Sequence, residues 1–139
     1  MSGFLLDTNI ISEARKAERA NSNVQQWLES VDDEVLFLSV LALGEIRRGI
    51  EQIRPRDAVQ ARALERWLAG LERTYRDRLL PITAQIAQRW GRLSAIRPIS
   101  AVDGLMAATA DVHELTLVTR NVDDVAHMGI NVLNPFVAS

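Results

Sequence analysis

No cysteine occurs among the 139 residues, so disulfides, cysteine-ligated zinc and cysteine nucleophiles are excluded together. Histidine is nearly as scarce: His113 and His127 are too few and too isolated for an imidazole metal site. A resident metal would have to be held by oxygen, which favours magnesium or manganese. No apolar run approaches the ~20 residues that cross a bilayer, and the N-terminus lacks a basic region followed by a hydrophobic stretch and a cleavage site. The expectation is a soluble, cytoplasmic protein with no membrane partner. A glycine-rich phosphate loop, a GxSxG elbow and a paired-histidine zinc motif are all missing, as are internal repeats, low-complexity tracts and linkers.

What remains is a chain that is 47% hydrophobic, long enough for one domain with a real core and short for two, so 1–139 reads as a single domain. Its net charge of −2 hides a pattern. Residues 1–46 balance at −5, residues 47–97 at +7 with twelve arginines, and residues 98–139 at −4 with one. Fifteen of the sixteen basic side chains are arginine, suited to bidentate carboxylate or phosphate contact. Two readings stay open for the middle block: solvated helix faces with internal Glu–Arg pairs, or a surface for RNA or a partner.

The pattern is organised around its start. Gly3 to Leu6 reads as a buried strand, because an uninterrupted apolar run suits a parallel strand covered on both faces. Asp7 ends that run at the carboxyl end of the strand, where open α/β sheets leave a crevice for ligands. The competing reading is an N-cap, since Asp7, Thr8 and Asn9 are all good capping side chains for a helix from about Ile10 to Arg15.

Further along, Asn21 or Ser22 caps a helix carrying Val24, Trp27, Leu28 and Val31 inward. Val35 to Leu38 is a second strand, and Ser39 caps a helix to about Ile53 with Leu43, Ile46, Ile50 and Ile53 buried. Glu45 lies off that stripe. Gly44 and Gly49 flank it, and two glycines in one helix predict close approach by another backbone or a ligand. A long helix follows from Asp57 to about Arg76. Leu79 to Ile82, containing Pro81, fits an edge strand. Thr83 caps a helix with Ile86, Trp90 and Leu93 inward, ending before Pro98.

Ser100 and Asp103 have the form of a capping box opening a nearly all-buried helix, whose mouth makes a carboxylate costly unless it is paired or metal-bound. Leu115 to Val118 and Asn131 to Leu133 are the last strands. Strand–helix alternation predicts a parallel three-layer α/β/α sandwich, whose post-strand loops share one edge. Asp7, the 119–124 loop and the helix starts near Ser39 and Ser100 then converge. Asp7, Glu45 and Asp103, with Asp124 a candidate fourth, would repel one another without a cation, so the set makes sense around Mg²⁺ or Mn²⁺. That is phosphodiesterase chemistry.

Leu5-Leu6-Asp7-Thr8-Asn9, Leu38-Ser39 through Gly44-Glu45-Ile46-Arg47-Arg48-Gly49, Asp103-Gly104-Leu105-Met106-Ala107-Ala108-Thr109-Ala110 and Val118-Thr119-Arg120-Asn121 resemble the ordered motifs of PIN-domain ribonucleases. The resemblance is to the VapC and FitB toxins of toxin–antitoxin pairs, and it runs to Asn134-Pro135-Phe136. It implies a five-stranded parallel sheet, a homodimer able to enter a larger toxin–antitoxin assembly, and a Mg²⁺- or Mn²⁺-dependent endoribonuclease silenced by a cognate antitoxin. It makes Asp7, Glu45 and Asp103 the metal-binding acids, with Thr8, Ser39 and Thr119 as orienting hydroxyls. The chain departs from the family at Asn121, where relatives carry Asp, while Asp124 lies one helical turn on. Arg47 and Arg48 are the first candidates for steering RNA. Two other readings are weaker: a catalytically weak binding module whose acids hold a cation or a partner's arginine, and a haloacid-dehalogenase-like hydrolase. The second would want an Asp where Asn9 stands and a lysine nearer the site than Lys16, the only one.

Overall fold

A computed structural model describes residues 3–138. Its centre is a five-stranded parallel sheet of β1 (Phe4–Leu6), β2 (Leu36–Ser39), β3 (Leu79–Leu80), β4 (Thr116–Val118) and β5 (Val132–Leu133), in the order β3-β2-β1-β4-β5. The chain builds outward from β1 to β3 and then returns to the other side of β1. The order therefore reverses between β1 and β4, and such a switch point opens a crevice beyond the strands' carboxyl ends.

Period-two alternation divides the strand residues between two cores. Leu6, Leu36, Leu38 and Val118 pack on one face against α1 (Thr8–Arg15), α2 (Ser22–Ser30), α3 (Val40–Ile53) and α4 (Ala58–Thr74). Leu5, Phe37 and Leu117 pack on the other, against α5 (Ala84–Ile96), α6 (Ala101–Val112) and the short α7 (Val122–Val125). The arrangement is the α/β/α sandwich that the alternation predicts.

Local differences from the sequence reading have simple causes. Helix α1 begins at Thr8, two residues early, because Asp7 itself is the cap. Val35 belongs to a 3-10 turn, Asp33–Val35, and β2 runs on through Ser39. Strand β3 stops at Leu80, before Pro81, which has no N–H to give a ladder. It is an edge strand, as proline there requires. Helix α7 takes up the second half of the 119–124 stretch expected to be loop, and a 3-10 turn, Ala126–Met128, continues it.

Within the described chain no backbone makes the close approach expected at the two glycines of α3. A Cβ on Gly44 or Gly49 would meet nothing within 4 Å, so no part of the described chain presses on α3 there. The close approach is at Gly104, where a Cβ would sit 2.7 Å from Trp90 Cδ1 and 3.2 Å from Ile99 Cγ2. Helices α5 and α6 cross at that point because α6 has no side chain there. Within α3 the buried residues are Ala42, Ile46 and Ile50, while Leu43 and Ile53 are half-buried.

Candidate metal centre at the switch point

Asp7 follows β1, and its backbone amide donates to Val118 O of the adjacent β4 at 2.9 Å. That bond ties the end of β1 to the end of β4 just before Thr119. The two oxygens of Asp7 then divide the expected roles. Oδ1 accepts from the Thr8 amide at 2.7 Å and caps α1. Oδ2 accepts from the Thr119 hydroxyl at 2.7 Å and from Asn9 Nδ2 at 3.2 Å. One residue thus caps α1 and lines the cavity described below. Thr119 is buried, and its Oγ1 also accepts from the Asn121 amide at 3.1 Å, which fixes the turn after β4.

Asp103 arrives from the other core. Ser100 caps α6 by accepting from the Asp103 amide at 3.3 Å, and its hydroxyl donates to Asp103 Oδ2 at 2.8 Å. The first turn of α6 thereby holds the carboxylate over the switch point. Asp7, Asp103, Asp124, Asn121 and Thr119 line one small cavity of about 10 Å³, enough for roughly one water. Its floor is apolar: Met106, Leu117 and Val125. Desolvation by that setting is the main reason the Asp7 carboxyl is held above the ordinary aspartate value, and the Asp103 charge adds to it. The bonds from Thr119, Thr8 and Asn9 work against the rise without cancelling it.

Glu45 stands one residue away from the cavity. It accepts from the Thr8 hydroxyl at 2.5 Å and so reaches the Asp7 turn through Thr8. Among the described residues, no three acidic or histidine side chains stand close enough together to hold one ion. Ser39 is fully buried and accepts from the Leu41 amide at 3.1 Å as the cap of α3; it does not line the cavity.

Arg47 is committed elsewhere, bonded to Glu51 at 3.2 Å and Glu65 at 2.8 Å. With Arg54 on the same two glutamates, it ties α3 to α4. Arg48 is exposed on α3. Asn9 and Ser100 are the site-builders that sequence reasoning left without a site role. The signals were available: Asn9 lies two residues past Asp7 in the first turn of α1, and Ser100 is the partner in Asp103's own capping box.

The donor set is all oxygen, from two close carboxylates, a third at the rim, a hydroxyl and an amide. Magnesium commonly takes one or two carboxylates, keeping several waters, so these residues fit such an ion.

Residues 4–129 match the PIN domain family. The toxin FitB of Neisseria gonorrhoeae is 31% identical over 141 residues, covering 96% of this chain and 98% of its own. The VapC ribonuclease Y4jK of Sinorhizobium fredii is 30% identical, covering 96% of this chain and 97% of its own. The crystal structure of FitAcB from Neisseria gonorrhoeae superposes with a TM-score of 0.86 at 29% identity, over 96% of this chain and 98% of that one. FitAB bound to a DNA fragment gives 0.83 at 27%, over 98% and 97%. The acids converge where these similarities run from end to end, and the chain belongs to the PIN domain family.

Proposed function

We propose that the protein is a divalent-metal-dependent endoribonuclease, the toxin of a toxin–antitoxin pair, held inactive by its cognate antitoxin. The observation that carries the reading is the meeting of Asp7 and Asp103, with Asp124, Thr119 and Asn121, in one small cavity at the switch point. The names of its relatives, a toxin and a ribonuclease, point the same way. Asp7 and Asp103 are the residues to hold Mg²⁺ or Mn²⁺, with Asn121 or Asp124 completing the set. When bound, such an ion polarises a phosphate oxygen and makes water a nucleophile near neutral pH.

The chain's own residues prepare this. Thr119 and Asn9 hold Asp7 Oδ2, the Thr8 amide holds Oδ1, and Ser100 holds Asp103 Oδ2, so neither carboxylate has to search for its position. Glu45, fixed by Thr8, is the acceptor for the proton of the attacking water. The substrate is single-stranded or looped RNA, whose unpaired backbone can enter a narrow site.

The test is cleavage of labelled RNA by purified protein. Cutting should require added Mg²⁺ or Mn²⁺ and stop with a chelator. It should fall about 100-fold or more, the scale of losing a positioned catalytic group, in Asp7→Asn and in Asp103→Asn. Equal cutting by both variants, or in chelator, sinks the reading.

A second reading keeps two supports: among the described residues no three acids share an ion's reach, and the fourth position is Asn121. In that case the cavity is a catalytically weak binding pocket that takes a cation or a partner's arginine. Calorimetry separates the two, because a pure binding pocket accepts the partner with no metal-dependent cutting. A toxin–antitoxin complex from Klebsiella pneumoniae, 26% identical to this chain, supports a protein partner, and the proposed assembly is a homodimer or larger. Light scattering on the free chain and on the coexpressed pair measures both. Among the described residues no helix is long and apolar enough to cross a membrane, which agrees with a cytoplasmic site of action.

A further inference from the structure

We propose that single-stranded RNA lies along a trough through the metal cavity, with Arg97 at one end and Arg120 at the other receiving phosphates on either side of the one cut. This rests on the nuclease reading above and adds the substrate's path and the two residues that set it.

Three cavities share walls. The central one shares Asp103 and Asp124 with a chamber of about 280 Å³ that Arg97 and His127 also line. It also shares Asn121 and Asp124 with a chamber of about 310 Å³ bounded by Arg120 and Asn134, and Asp123 lines both flanking chambers. Each flanking chamber is near the lower bound for small-ligand sites, and the central one is far below it. Such a profile suits a strand with two nucleotides seated and one phosphate pinched between them.

Asp103, Asp123 and Asp124 also line these chambers, so the arginine in each is the group there that can meet a phosphate. Arg120 is the single basic residue after position 97, in a segment of five acids. Among the described residues neither Arg97 nor Arg120 enters an ion pair, in contrast to Arg47, Arg54, Arg78 and Arg89. Arg120 is nevertheless held in place. Its amide donates to Asn9 Oδ1 at 3.3 Å, and its guanidinium lies 4.4 Å from the centre of the Phe136 ring.

The ring is anchored in turn. The Phe136 amide donates to Asn134 Oδ1 at 3.0 Å, and Asn23 Nδ2 of α2 donates to Phe136 O at 2.8 Å. Asn134-Pro135-Phe136 is thus a platform that presents one arginine beside the metal cavity. A guanidinium stacked on an aromatic face keeps its outward N–H groups for a phosphate.

Two readouts on the full chain test this. Anisotropy of a labelled single-stranded RNA measures binding in the Asp103→Asn background. Steady-state cleavage in Mg²⁺ measures KM and kcat. Arg97→Ala and Arg120→Ala should each weaken binding on the order of tenfold, the scale of losing a charge-assisted contact. They should raise KM in step while kcat stays within about threefold, since neither residue touches the metal. The slope of log affinity against log salt should flatten by about 0.7 per arginine, the single-strand value.

Arg120→Lys, which keeps the charge but not the planar stacking group, should fall between parent and alanine. Arg62→Ala on α4 should match the parent. RNA affinity unchanged in both trough variants overturns the path, as does a loss confined to Arg48→Ala or Arg62→Ala, which would route RNA over the basic middle block. An absence of metal-dependent cutting by the parent counts against the nuclease reading alone, because the binding arm still decides the path.

Discussion

Asp7 carries two loads on two oxygens, and their separation makes a clean experiment. Burial holds its folded-state pKa above the ordinary aspartate value of 3.8. Between the unfolded and folded values the folded chain binds more protons, so this carboxyl costs stability as pH rises through that window. Asn at the same position keeps an acceptor for the Thr8 amide and caps a helix as well as Asp does. In chelator, Asp7→Asn should therefore melt above the parent at pH 7, with the gap closing as pH falls toward 3.8, while cleavage is lost. A lower melting point at pH 7 would mean that the bonds to Oδ2 outweigh the burial cost.

Thr119→Val is the complementary change. It preserves shape in a fully buried place but removes the donor to Asp7 Oδ2 and the acceptor for the Asn121 amide. Cutting should fall about 10- to 100-fold, the usual loss for a group that orients a metal ligand, and excess Mg²⁺ should restore part of it. Asp7, Asp103 and Thr119 were legible in the sequence because each directly follows a strand or opens a helix, where the backbone fixes direction. Glu45 was less so. Its place in mid-helix gives its face and not its reach, and the Thr8 hydroxyl that links it to the site lies 37 positions away in the chain.

Helix packing shows what glycine spacing can and cannot announce. Gly44 and Gly49 read as contact points, yet both face open space within this chain; Gly104, between Asp103 and Leu105, is the crossing point of α5 and α6. A sequence records that a side chain is absent, and only the fold decides whether a neighbour uses the gap. Gly104→Ala should destabilise by about 1–3 kcal/mol, the cost of overpacking, because the obstacle is the Trp90 indole and not a flexible tip. Gly44→Ala and Gly49→Ala should each stabilise the free chain by about 0.5–1 kcal/mol, the helix-interior difference between the two residues. Urea midpoints of the three variants give opposite signs if the crossing is as described.

The basic block resolves in the same way. Arg47 and Arg54 form a four-residue cluster with Glu51 and Glu65 across α3 and α4, in which Arg54 and then Arg47 lower the Glu51 pKa to about 2. The contribution is present above the unfolded glutamate value of 4.5 and fades as pH falls toward 2. These side chains are exposed, so salt should screen most of it. Glu65→Ala should lower the melting point at low ionic strength and match the parent in about 0.5 M salt, where the Debye length is only a few ångströms.

At the scale of the molecule, the strand alternation read from the sequence was enough for a sandwich, but strand order was not written there. Nothing local says that β4 returns beside β1 and not beside β3. That choice creates the switch point, and with it the distance between Asp7 and Thr119. It also makes β1 and β4 common property of two cores, since Leu5 and Leu117 face one while Leu6 and Val118 face the other. Loss of either core exposes one side of the same ladder, so the two halves should unfold together.

The tryptophans can report this separately. Trp27 and Trp67 pack with the α1–α4 core, and Trp90 packs with the α5–α7 core. Leu38→Ala on the first side and Ile86→Ala on the second each empty a fully buried site, and each should cost about 2–5 kcal/mol. In a chain carrying only Trp90, and in one where Trp90 alone is Phe, fluorescence and far-UV circular dichroism should share one urea midpoint, displaced equally by either cavity. If Leu38→Ala moves the Trp27 and Trp67 signal and leaves that of Trp90 in place, the cores melt independently, and the shared ladder does not couple them.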